Sequence, residues 1–472
     1  MKKIALVALS AIAMGTLASC GGGQDTSPNY KAGDKIYTKR IIFDTEAENP
    51  ENVHFDLGDV GGVSEVKIGR NEITFGFHNG VLTLDGASLK QVGAKEATVN
   101  VTTSKGKRTI EALLATKIIK TVEDYEFINS TIETTGETLE GIYVLGNDID
   151  FNGKNEEPIG NYTYEEDPNK HFFHGIFDGD GYALKNLKVS YSDGLAPDTS
   201  TSGYPSNYDV YTGNGKFSIP GHVEGDNIGV FQTIGSSGVV RNTVFDNVRV
   251  HGRTIVGVIA GNNSGTIENC LVKESCSALM DTHFWDDDCN MGGVAGIVGA
   301  GATVQNVVSL TKQVSVRKTY EDYSDNYIGN PGTDYDHGGS TQNNFWRFWG
   351  NNRVAGENAG ATDSNGNATN GVYSVVGKCW GVTKDSVGAA FNAERYTAET
   401  NAPASFGQTH LAANKASSGD ANMGELSNCA VYDVAGLKQA SHYAAFDSEV
   451  WNIVDGQYPA LKQNVNVYRI AE

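Results

Sequence analysis

A short pattern of an apolar residue, a variable residue and an asparagine recurs along the chain. It appears as Leu184-Lys185-Asn186, Val240-Arg241-Asn242, Ile267-Glu268-Asn269, Val304-Gln305-Asn306 and Leu426-Ser427-Asn428. Gly229, Gly257 and Gly293 precede their asparagines by 13, 12 and 13 residues. Asn242 and Asn269 are 27 residues apart, and the 56 residues from Asn186 to Asn242 read as two such units. A period of that size marks stacked repeats. Apolar or small residues stand two before, one after and three after the asparagine, as in Ile267, Cys270 and Val272. A straight strand alternates sides, so the first two of these positions cannot face the same way. The chain must turn at the asparagine, which tolerates the left-handed backbone that a corner needs. Short strands joined by such corners, each coil about 4.8 Å above the last, predict a parallel β-helix with Asn186, Asn242, Asn269, Asn306 and Asn428 stacked at its corners.

Other short features fit this reading. Asp178-Gly179 and Asp180-Gly181 are turn dipeptides leading into a strand. Asp148-Ile149-Asp150-Phe151-Asn152-Gly153 imitates the start of an EF-hand loop, but Ile159 stands where the bidentate Glu is required. No CxxC pair exists, which argues against zinc. Neither a metal nor a cofactor is expected. Cys270 and Cys429 directly follow a corner asparagine, where Leu187 and Val307 also stand, and this marks them as buried core thiols that are not expected to be reactive.

The segments "GIYVLGNDIDFNG", "GIFDGDGYALKNLKV" and "NIGVFQTIGSSGVVRNTVFDNVRVHGRTIVGVIAGNNSGTIENCLV" resemble the GLUG-motif repeats of bacterial surface proteins. Phe446 to Lys462, "FDSEVWNIVDGQYPALK", resembles the segment that closes such domains. The resemblance spans roughly residues 140–310 and 425–465. It implies a right-handed β-helix outside the cell and supplies no catalytic residues. The repeats break off between about 316 and 425, where a large insertion is expected. The β-helix is therefore assigned to 121–465, and Val122 to Leu139 is expected to hold a short helix capping its first coil.

Residues 36–120 lack the period. Short alternating stretches between Gly, Asn and Asp turns predict a β-sandwich, and the segment looks like a bacterial Ig-like module. Lys2 and Lys3, an apolar run from Ile4 to Leu17 and then Leu17-Ala18-Ser19-Cys20 resemble a lipoprotein signal with its lipobox. That resemblance implies a signal peptide over 1–19, lipid on Cys20, a flexible tether over 20–35 and an outer-membrane anchor, with the protein facing the exterior. Removing Cys20 leaves Cys270, Cys276, Cys289, Cys379 and Cys429, so at least one thiol has no partner. A Cys276–Cys289 bridge would pin the loop between them in an oxidising compartment. The formal charge of -21 and the scattering of the 36 Lys and Arg exclude a nucleic-acid partner.

A β-helix core is filled with apolar side chains, so function must sit in what projects. Asp193–Val223 is polar and Tyr-rich, and Cys276–Asn290 carries His283, Trp285 and Asp286-Asp287-Asp288. The longest insertion holds Phe345, Trp346, Arg347, Trp349 and Arg353. Flat aromatic faces stack on sugar rings while amides and guanidiniums supply directed hydrogen bonds, so these residues suit a glycan surface. Adjacent Trp and Phe in a long loop more often serve as a private core for that loop. The expected function is non-catalytic binding or adhesion to a glycan or host surface molecule. A β-helix polysaccharide lyase or glycoside hydrolase is the first alternative, since Asp286–Asp288 could face a substrate and Lys318 or Arg347 could act as base. A structural coat component is the second.

Overall fold

The computed structural model describes residues 27–132, 134–160, 171–190, 227–252, 255–282, 290–311, 313–318, 353–354, 371–373, 375–379, 381–389, 414–415, 425–463 and 467–469. Over these residues the chain is mostly β, and most strand pairing is parallel.

The alternating stretches near the N-terminus pair into two sheets. One has the order Val467–Arg469, Lys35–Tyr37, Val53–Asp56, Val81–Leu84, Phe75–His78; the other runs Arg40–Asp44, Gly106–Ala115, Lys95–Thr103, Val63–Ile68, Asn71–Glu72. Asn79-Gly80, both at positive φ (51° and 84°), closes the hairpin between Phe75–His78 and Val81–Leu84, the conformation an Asn-Gly turn favours. Ile41, Phe55, Leu82, Leu84, Val99 and Leu114 share one buried cluster between the sheets. The edge strand Val467–Arg469 comes from the far end of the chain and pairs antiparallel with Lys35–Tyr37.

Beyond Ala115 the chain enters a stack of five parallel ladders. The eight-stranded ladder starts with Lys117–Ile119 and ends with Glu425–Ser427; the seven-stranded one runs from Ile149–Asp150 to Ala430–Tyr432. Three more ladders start at Asn155–Glu156, Asn227–Ile228 and Phe231–Ile234. Within each, strands follow sequence order, so every passage of the chain lays one strand beside its predecessor. A single row illustrates the register: Phe177, Val240, Ile267, Val304, Thr383 and Leu426 are successive partners. Phe177, Leu184, Val250, Val256 and Phe231, one from each ladder, belong to the same buried cluster. The helix expected within Val122–Leu139 is Val122–Glu126, started by a reciprocal Thr121–Asp124 capping box. Its Tyr125 is buried edge-on against Phe151 at 5.0 Å, so it covers the first passage.

The corner after the eight-stranded ladder is made by Asn242, Asn269, Asn306, Asp385 and Asn428, all at φ between 48° and 52°. Their backbones are linked along the file, as in Asn269 N–H to Gln305 O at 3.2 Å. Asn242 and Asn428 also donate their amides one passage back, to Asp178 (3.1 Å) and Asp385 (2.7 Å). Asn186 is a corner residue too (φ 55°), but it belongs to the next corner, with Asn247. Asn247 Nδ2 donates to Asn186 Oδ1 at 2.7 Å. The expected single file is therefore corrected by one strand for Asn186, and Leu187 moves with it. The 56 residues to Asn242 are not two units, because Asp178 and Arg241 are direct partners on consecutive passages.

The 316–425 interruption is also corrected. Gly371–Tyr373, Val376–Cys379, Val382–Lys384 and Val387–Ala389 form a passage in register with the one before, so separate inserted segments flank it.

Glycine is required where the ladder that starts at Asn227–Ile228 meets the one that starts at Phe231–Ile234. Gly229, Gly257 and Gly292 occupy equivalent places; the third is Gly292 rather than Gly293. A Cβ on Gly257 would lie 2.3 Å from Ala260 O and 2.5 Å from Ala295 Cα, both backbone atoms of the neighbouring ladder, in which they are register partners. Gly257→Ala is expected to destabilise the fold by about 3 kcal/mol, the upper part of the overpacking range. A urea midpoint lowered at unchanged slope would register this.

After Tyr432 the chain doubles back along the stack. Leu437, Tyr443, Phe446, Trp451 and Leu461 cover a row of the seven-stranded ladder, Ala183, Val244, Leu271, Val308 and Val387, which are successive register partners. Trp451 Nε1 donates to Asn269 Oδ1 at 3.4 Å, and Lys39 pairs with Glu449. This strap delivers Val467–Arg469 to the N-terminal sheet.

A candidate functional site at the junction of sheet pair and stack

Where the N-terminal sheets meet the stack, charged residues converge from both. Arg40 begins its strand beside Glu111, and Thr98 lies opposite Glu111, so these side chains share one sheet face. The facing row of the stack is Asp178, Arg241 and Glu268. Asp178, fully buried, is the centre. Its Oδ2 accepts Arg40 Nη1 at 2.9 Å and Arg241 Nε at 2.8 Å. Its Oδ1 accepts Asn242 Nδ2 at 3.1 Å and the Asp180 N–H at 3.0 Å. Arg40 Nη2 reaches Asp180 Oδ1 at 2.8 Å, and Arg241 Nη2 reaches the exposed Glu96 at 2.7 Å.

The electrostatics follow from that geometry. Burial would raise the Asp178 carboxyl, but the two guanidiniums overcome it and hold the group at about 2. Asp180 behaves oppositely: burial and the neighbouring Asp178 push it above its ordinary value, with Arg40 pulling the other way. Burial opposes the charge on Arg40, and the two aspartates more than restore it. Both arginines are thus engaged by protein carboxylates, and the cluster ties the sheet pair to the stack. A cleft of about 560 Å³ opens beside it, lined by Glu96, Glu111, Arg241, Asn242, Glu268 and Asn269 among others. Glu268 accepts Gln305 Nε2 at 2.7 Å.

A second cavity of about 570 Å³ lies between Lys35–Tyr37, Val53–His54 and the first passage at Ile118 and Lys120. His54 faces it, with Nε2 3.3 Å from Asp34 Oδ2 and Nδ1 3.0 Å from Thr83 Oγ1. The series of acid, imidazole and hydroxyl resembles a nucleophile relay, yet Thr83 is fully buried within its strand and cannot meet a substrate. Burial lowers the His54 pKa, Asp34 partly opposing. The ring is a core group that pairs with the Thr83 hydroxyl.

Of the residues singled out in the sequence, Cys20, Trp285, Phe345, Trp346, Arg347 and Trp349 lie outside the described residues, as do His283, Asp286–Asp288 and Cys289. Arg353 starts the two-residue strand Arg353–Val354, antiparallel to Ser315 and Val316. The strands fix where the inserted segments leave and return. Residues 283–289 follow Thr282 and rejoin at Asn290; the longer insertion follows Lys318 and rejoins at Gly371. Thr282 and Lys318 are register partners, and so are Asn290 and Gly371. Residues 191–226 follow Ser190 and rejoin at Asn227, in the same two ladders. The segments bearing Trp285 and Phe345–Trp349 therefore begin side by side, although the sequence separates them by some sixty positions; the second first returns to its own ladder at Arg353, and residues 355–370 lead on to Gly371. Cys276 is a buried free thiol whose Sγ approaches Phe245 O at 3.2 Å.

Sequence reasoning missed the Arg40–Asp178–Arg241 cluster. Asp178-Gly179-Asp180 was legible only as a turn, and Arg40 stands 138 residues away. No signal in the sequence joins them.

No family model matches the chain, and no solved structure matches it. Over 195 residues, 40% of the chain, it is 26% identical to Halomucin of Haloquadratum walsbyi (strain DSM 16790 / HBSQ001). That stretch is 2% of Halomucin's length, so the chain spans only a small fraction of this curated relative.

Proposed function

We propose that the five ladders close into a right-handed parallel β-helix standing on an Ig-like sandwich. The chain is a lipid-anchored binding protein displayed at the outer membrane, held through Cys20, and its inserted segments recognise a glycan or surface molecule. The observation that carries this reading is the alignment of the insertions: residues 191–226, 283–289 and 319–370 all leave from one ladder, and the chain rejoins the next at Asn227, Asn290 and Gly371, which share one register row. Such an arrangement gathers loops along one side of a rigid support, which is how binding surfaces are commonly built. The buried charged groups at the junction point the same way. Asp178, Arg40 and Arg241 are paired with one another and His54 serves a core hydroxyl, so their chemistry is spent on structure.

Trp346→Ala and Trp349→Ala are expected to weaken binding on a glycan array at least tenfold while the urea midpoint stays within error. That loss corresponds to about 1.4 kcal/mol or more. Unchanged binding by both variants would remove the basis for the assignment. Release of new reducing ends or an unsaturated product from acidic polysaccharides would instead favour the enzymatic alternative.

A further inference from the structure

Four free cysteines are present among the described residues: Cys270, Cys276, Cys379 and Cys429. Two of them converge at the distal end of the stack. Cys379 ends the strand Val376–Cys379, and its Sγ lies 3.4 Å from Thr383 Oγ1. Cys429 follows the Asn428 corner one passage later, and its Sγ lies 3.3 Å from Thr383 O. Both thiols thus touch the same fully buried threonine from consecutive passages. Cys270 fills the same place as Cys429, with Sγ 3.8 Å from Val240 O, but the counterpart of Cys379 on its preceding passage is Ile234. Cys276 contacts Phe245 and Val248 instead.

We propose that Cys379 and Cys429 are a redox-sensitive pair that closes into a disulfide and staples the last two passages together. The oxidant is a small-molecule disulfide of the glutathione class. The Cys429 thiolate attacks it, the S–S bond of the reagent breaks, and one thiolate leaves. The Cys379 thiolate then attacks the Cys429 sulfur and expels the second. Two protein thiols are oxidised, one reagent disulfide becomes two thiols, and the two protons lost by the protein thiols end on the departing reagent sulfurs. Cys429 is the first attacker because it is only partly buried whereas Cys379 is buried. Burial raises the Cys429 thiol to about 11, with smaller contributions from Asp385 and Cys379, so closure is slow at neutral pH and speeds up with alkalinity. The bond would close a loop from 379 to 429, a length at which cross-linking restricts the unfolded chain appreciably.

The full chain is incubated with oxidised glutathione in mildly alkaline buffer, alkylated, denatured and mapped by mass spectrometry without reduction. The expected product links the peptides of Cys379 and Cys429 and is lighter by two hydrogens, and its thermal midpoint rises by several degrees over the reduced form. Cys270 and Cys276 are recovered as thiols. Cys379→Ser should leave Cys429 as a glutathione adduct. Recovery of Cys379 and Cys429 as free thiols in the wild-type chain, or linkage of either to Cys289, would overturn the proposal without recourse to any variant.

Discussion

Asp178→Asn is expected to cost the fold about 3–5 kcal/mol, the usual result of leaving buried charges without their partner. The substitution keeps the shape of the side chain but leaves Arg40 and Arg241 facing a neutral amide, with Asp180 and Glu96 their remaining counter-charges. Glu96→Gln provides the contrast. That carboxylate is half exposed, so removing its charge should change stability by no more than about 1 kcal/mol. The difference between Asp178→Asn and wild type should also depend on acidity. A carboxyl depressed from 3.8 to about 2 contributes stability in full above 3.8, and loses it as pH falls through about 2. Chemical denaturation at neutral pH and at successively lower pH should show the two proteins converging. A constant gap over that range would mean that the loss comes from an amide N–H placed where an acceptor is needed, and not from the charge of Asp178.

Trp451→Ala should be comparably severe, again about 3–5 kcal/mol. The indole is 1% exposed, packs edge-on against Phe446 at 5.0 Å and lies on the outer row of the seven-stranded ladder. Its loss opens a cavity and also loosens the strap that carries Val467–Arg469 to the N-terminal sheet. Hydrogen exchange should accordingly rise at Lys35–Tyr37 as well as near residue 451. Trp451→Phe, which retains much of the apolar volume, should lose less than half as much. Equal losses for the two variants would assign the effect to the Trp451–Asn269 hydrogen bond instead of to burial.

The corners were legible because only a few residue types tolerate positive φ, and asparagine announces each one. The same signal misled where it recurred. Val240-Arg241-Asn242 and Phe245-Asp246-Asn247 carry one pattern at two consecutive corners, so the pattern alone does not say to which of them Asn186 corresponds. Asp385 adopts the corner conformation (φ 48°) without the asparagine that marks the other corners of its file, so the passage that contains it carries no such signal. The strap and the buried charge cluster were invisible for a different reason. Both depend on contacts between residues far apart in sequence, such as Arg40 with Asp178 and Trp451 with Asn269, and no local propensity encodes such pairs. The junction cavities share that origin, being gaps between elements placed by the register.

Residues on successive passages lie in register, one strand spacing apart. Val239, Thr266, Thr303, Val382 and Glu425 are successive partners in the eight-stranded ladder. Spin labels on cysteines introduced at Val239 and Glu425, four spacings apart, should give one narrow distance distribution near about 19 Å plus the label length. A broad distribution, or a maximum beyond about twice that spacing, would contradict the stack.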